Sequence, residues 1–243
     1  MMRRHVSWTA ALFLVLIGAS LAAARDNDAR KHDPFVPTSA YEERSVEGWT
    51  VHVNRRLLNE EADLGNQALR LLETKLYEIT RVVPSKALDE LRKVPIWLGV
   101  NDGPAPCAEY HPSKQWLIDN GWNPDKARCV EIGNAARFLE WSKGQPAMIL
   151  HELAHSYHDR VLGFDNPEVL EAFGKARDAK LYDAVLHNNG RESRSYAMTD
   201  HKEYFAEGSE AFFGTNDMFP FVRAELRRHD AELERILGDV WNR

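Results

Sequence analysis

Residues 144–163 read GQPAMILHELAHSYHDRVLG, and no other stretch restricts the fold as much. Pro146 suits the first turn of a helix. From Pro146 to His155 the helix it opens is apolar except for His151, Glu152 and His155. Residues four apart share one helix face, so His151 and His155 can point imidazole nitrogens at a single Zn²⁺. Glu152 is turned about 100° away. From there it reaches a water on the ion rather than the ion, and can act as a general base. The other reading is two surface histidines beside a solvated glutamate, and the motif alone leaves both open. A catalytic zinc needs a third protein ligand and a fourth position left to water. The metal reading therefore requires the fold to bring a distant ligand to this helix.

The next turn of the chain does not supply it. A metzincin continuation needs Gly at 158 and His at 161, where this chain has His158 and Val161. The segment DHKEYFAEGSEAFF (200–213) offers Glu203, Glu207 and Glu210. Their spacing of four and three puts them near one face of a helix, and one carboxylate there completes a His₂Glu set. Such a stripe beside Phe205, Ala206 and Ala211 is unusual for an exposed face, although a solvated acidic face is the alternative. Asp200 is a good N-cap for this helix, expected from about His201 to Phe213. Glu203, three residues on, can instead complete a capping box, which leaves Glu207 as the ligand.

The rest of the chain predicts an α+β fold with a small mixed sheet and a helical C-terminal half. Residues 1–24 have a basic start, an apolar run and an A-x-A ending at Ala22 and Ala24, the pattern of a secretory signal, with an uncleaved anchor as the alternative. Export without a stable membrane anchor follows from the first reading. Residues 25–47 are charged, hold Pro34 and Pro37, and read as a flexible leader; residues 48–243 read as one domain. GWTVHVN (48–54) alternates as a strand does. Leucines and alanines at threes and fours from Leu64 predict a helix ending at Pro84. A short helix at 86–92 and a strand at 94–100 come next, then a long structured loop over 101–128. CVEIGNA (129–135) is β-like, either an edge strand that pairs with extended substrate or an internal one. Further helices are expected over 167–186 and 221–241.

Losing residues 1–24 moves the net charge from −6 to −8. An acidic chain with no basic block is a poor nucleic-acid binder. Export makes a Cys107–Cys129 disulfide plausible, with two buried free thiols as the alternative. Tyr110, His111, Trp116 and Trp122 are candidates for a substrate rim or for packing around that loop.

YAMTDHKEYFAE places Tyr196 seven residues before Glu203, and Glu207 four after it. This stretch resembles the anthrax lethal factor-type zinc metallopeptidases, in which Y-x₆-E-[FY]-F-A-E follows the HExxH helix. The resemblance is confined to the C-terminal half of the chain. It implies a zincin-like fold with one Zn²⁺ held by His151, His155 and Glu203. It further implies Glu152 as the base, Tyr196 as a hydroxyl donor to the reacting carbonyl, and Glu207 as an acid holding a ligand histidine. The expected activity is hydrolysis of a peptide or protein substrate, with a secreted zinc-binding zincin that does not catalyse, or a zinc hydrolase of a non-peptide amide, as the alternatives.

Overall fold

In the GWTVHVN segment Trp49, Val51 and Val53 are buried while Thr50 is exposed, as a half-covered strand requires. The computed structural model describes residues 35–102 and 107–242. The expected signal segment and residues 25–34 of the expected leader lie outside the described residues. Five strands form a mixed sheet in the order β1 (Tyr41–Val46), β2 (Trp49–Asn54), β3 (Ile96–Leu98), β5 (Val130–Ile132), β4 (Ala108–Tyr110). β2, β3 and β5 run parallel, and β1 and β4 are antiparallel edges.

Helices α1 (Arg55–Leu58), α2 (Ala62–Val82) and α3 (Ser85–Leu91) join β2 to β3, and α2 buries Ala68, Leu72, Leu76 and Ile79. α4 (Lys114–Asp119) and α5 (Ala135–Trp141) flank β5. The C-terminal half is helical. It comprises α6 (Met148–Tyr157), continued by a π-helical turn over His158–Leu162, then α7 (Pro167–Asp178), α8 (His201–Phe213), α9 (Arg223–His229) and α10 (Ala231–Trp241), with a small hairpin of β6 (Val185–Leu186) and β7 (Glu192–Ser193).

Four expectations change. The leader is not flexible over 41–46, because these residues form β1 and pair along the whole of β2 from Tyr41↔Asn54 to Val46↔Trp49. Glu42, Glu43 and Arg44 hid the strand, since a sheet edge carries charge without cost. Glu47 and Gly48 turn this hairpin with positive φ, and a Cβ on Gly48 would fall 2.6 Å from Arg92 Nε. The loop expected over 101–128 contains β4 and α4. The helix expected over 167–186 ends at Asp178, and Val185–Leu186 is a strand. Of the two readings of CVEIGNA the internal strand holds, and β4 is the edge. The helix expected over 221–241 divides at Asp230, which caps α10 through Leu233 N–H and accepts from the hydroxyls of Tyr182 and Tyr204.

The disulfide is also corrected: Cys107 and Cys129 are both free and buried. In the β4–β5 ladder Cys107 faces Gly133, and Cys129 faces His111. Four strand residues therefore separate them, roughly 13 Å at the rise of a strand, while a disulfide needs Cα atoms within about 7 Å.

Two packing features set the positions of β4 and α8. The end of β4 is fixed by His111, whose Nε2 lies 2.7 Å from Glu131 Oε2 on β5, with Lys126 pairing the other oxygen of that carboxylate. α8 lies between α6 and α10, and at Gly208 a Cβ would meet Leu233 Cδ2 at 2.6 Å. With its apolar side committed to α10, α8 turns the stripe of acids toward α6.

Candidate metal centre

Every residue of α6 is buried except Glu152, so the histidines sit in the core rather than on a wet face. His151 Nε2 lies 3.1 Å from His155 Nε2, and Glu203 Oε2 lies 3.0 and 3.3 Å from the two nitrogens. For donors about 2.0–2.1 Å from a zinc ion, the edge of a coordination tetrahedron is about 3.3–3.4 Å. The triangle therefore has the size and donor chemistry of a His₂Glu face around one ion. These residues form one of two His and carboxylate clusters able to hold an ion among the described residues; the other is His151, Glu207 and Glu210. The capping alternative for Glu203 is not taken. The Asp200 carboxylate accepts from the N–H groups of Lys202 and Glu203, which leaves the Glu203 side chain to the histidines.

The acid that holds a histidine of this triangle is Glu210 rather than Glu207. Glu210 Oε1 lies 2.7 Å from His151 Nδ1, whereas Glu207 Oε1 lies 3.9 Å away. His151 is thus bracketed by one carboxylate on each ring nitrogen, both from α8. Seven residues is two helical turns, so Glu210 belongs to the same stripe as Glu203; this spacing was the signal for it in the sequence. Glu207 is 5% exposed, and its Oε2 has no hydrogen-bond partner. Its pKa is pushed up to about 8 by burial and then by Glu210. Burial works against charge on His151, yet hydrogen bonds to Glu203 and Glu210 hold its pKa well above the ordinary value. Glu203 is the counterpart: burial raises it, and the two imidazoles outweigh burial and hold it well below the carboxylate range.

These groups floor a cleft of about 590 Å³ whose lining includes Tyr110, Glu152, Tyr196, Asp200 and Lys202. Glu152 Oε2 accepts from the N–H of Tyr110 on β4 at 2.8 Å. Strand alternation turns the backbone groups of Ala108 and Tyr110 away from β5, toward this free edge. Tyr196 is half exposed at the cleft wall, its ring centre 6.5 Å from that of His151. Burial, then Glu203, raises its phenol above the usual range.

Among the four rim candidates only Tyr110 lines the cleft. His111 is buried against Glu131 and stacks with Trp116. His201 Nε2 meets the carbonyl of Phe164 at 2.7 Å. His158 is fully buried with no partner on either nitrogen, and its pKa falls to about 3, first from burial and then from His201 and His155.

No protein-family model, no curated protein and no solved structure matches this chain.

Proposed function

We propose that the chain is an exported zinc-dependent peptidase of zincin type. The observation that carries this reading is the convergence of His151, His155 and Glu203 within 3.0–3.3 Å at the floor of an open cleft. An ion bound there supplies Lewis acidity and lowers the pKa of a water to about 7. Glu152 takes the proton of the attacking water and returns it to the leaving amine. The Tyr196 hydroxyl, which lines the same cleft, donates to the oxygen on which negative charge develops. The outward N–H and C=O of Ala108 on the edge of β4, beyond the Tyr110 N–H that Glu152 occupies, pair with an extended peptide in the strand-addition mode of recognition. A site serving structure alone has no use for an open cleft, nor for a carboxylate and a phenol beside it.

Metal analysis and peptide cleavage test this together. Purified protein is expected to carry one zinc per chain and to cut peptides in a chelator-sensitive way. Glu203→Gln loses the metal. Glu152→Gln keeps it and loses turnover, while Tyr196→Phe keeps it and loses about 10²–10³ in kcat. A Glu203→Gln protein with undiminished zinc, or a Glu152→Gln protein with undiminished turnover, overturns the reading.

A further inference from the structure

The cleft has two chemically different ends. Along α6 its floor runs from Met148 through His151 and Glu152 to His155, about 10.5 Å at the helical rise. α8 runs the opposite way, because Glu203 meets both histidines whereas Glu210 meets only the Nδ1 of His151. β4 runs alongside α6: Cys107 Sγ lies 3.4 Å from Met148 Sδ, and the Tyr110 hydroxyl donates to Asp159 at 2.8 Å. The later acids therefore collect at the Met148 end. Asp217 joins them there, reached by the side chain of Gln145. Lys202, the single Lys or Arg of the lining among the described residues, comes after Asp200 at the start of α8 and so belongs to the other end.

The Met148 end thus has apolar walls, Met148 and the exposed ring of Trp141, and an acidic floor of Glu207 and Asp217. Glu207 Oε2 is an unpartnered acceptor there. Asp217 is 8% exposed, and the one ion-pair contact it makes among the described residues is at 3.4 Å to His187, which does not line the cleft. Asp217 has no Lys or Arg partner among the described residues, and a positive charge arriving at the end of an apolar stem supplies one. A lysine or arginine side chain has both parts: methylenes for Met148 and Trp141, and donors for the acids. A free α-amine has the charge without the stem.

We infer that this end of the cleft is a subsite for a Lys or Arg side chain adjoining the scissile bond, with Asp217 as its specificity-determining residue. The inference rests on the peptidase reading for the word scissile, and on the cleft itself for the charge preference.

The test uses full-length protein and peptides blocked at both ends, alike except for Arg, Lys, norleucine or Glu at one position. Binding is measured calorimetrically to zinc-loaded Glu152→Gln protein, and cut sites are mapped with the wild type. The Arg and Lys peptides are expected to bind at least about tenfold tighter than the norleucine peptide, the size of one charge-assisted hydrogen bond. Cuts fall next to the basic residue. Asp217→Asn, checked for zinc content, reduces the Arg-to-norleucine ratio about tenfold. Equal binding of Arg and norleucine peptides, or a preference that appears only with an unblocked amino terminus, overturns the subsite. Should the Asn variant fail to fold, the wild-type comparison still decides. Absence of cleavage with the Arg preference in binding intact sinks the peptidase reading and leaves the subsite standing.

Discussion

At the scale of single residues, His151 and His158 are held in opposite ways. His151 is gripped at both nitrogens by carboxylates, Glu210 on Nδ1 and Glu203 on Nε2, so in the proposed zinc centre Nε2 would be the nitrogen that faces the ion. Loss of such an outer hydrogen bond costs about 10–100-fold in metal affinity. Glu210→Gln is therefore expected to weaken zinc binding by that factor in a competition titration, with Glu207→Gln weakening it less because its carboxylate stands 3.9 Å off. His158, by contrast, is buried among Phe164, Phe205 and His201 with nothing to accept from or donate to. Its pKa of about 3 in the fold lies below the ordinary 6.5. Below pH 6.5 the unfolded chain takes up a proton there that the folded chain refuses. Stability contributed by the neutral ring is thus lost as pH falls, at up to about 1.4 kcal/mol per pH unit. Denaturant melts at pH 7 and 5 should show His158→Phe losing up to about 2 kcal/mol less than wild type between these values. Equal losses would show that this ring is not what acid attacks.

At the scale of elements, the two edge strands do different work. β4 presents its free edge to the cleft and ties Glu152 through Tyr110 N–H, so it belongs to the site. β1 closes the far edge, and the Tyr41 hydroxyl donates to Asp102, which also accepts from Asn54. Removing residues 1–47 strips the partner from β2, uncovers Trp97 where Tyr41 packs edge-on, and leaves the buried Asp102 short of a donor. The expected cost is at least about 2 kcal/mol, combining lost apolar burial with lost hydrogen bonding. Thermal melts of chains beginning at residue 35 and residue 48 provide the comparison. The second should melt lower than the first, and equal melting of both would deny β1 its role.

At the scale of the whole molecule, the two cysteines are not a staple. Burial pushes the Cys107 thiol up to about 12 and the Cys129 thiol up to about 11, so both are poor nucleophiles as well as too far apart to pair. Both thiols are expected to titrate only after denaturation without reductant, and reductant should leave the melting temperature unchanged; a protein that titrates none is disulfide-bonded after all. The sequence alone determined whatever depends on local spacing. The helix over 201–213 with its Asp200 cap, the α2 stripe, the β2 alternation and the shared face of His151 and His155 all come from periods of 3.6 and 2. Tertiary structure decided the rest, because pairing between distant segments has no local period. Register in the β4–β5 ladder separated the cysteines. The charged edge strand β1 was hidden because its partner lies across a turn and its outer side faces water. Which of three closely spaced acids on α8 meets which nitrogen of His151 was set by the antiparallel crossing of α8 on α6, fixed in turn where Gly208 lets α10 come close. Spacing along one helix named the candidates, and packing between helices assigned their partners.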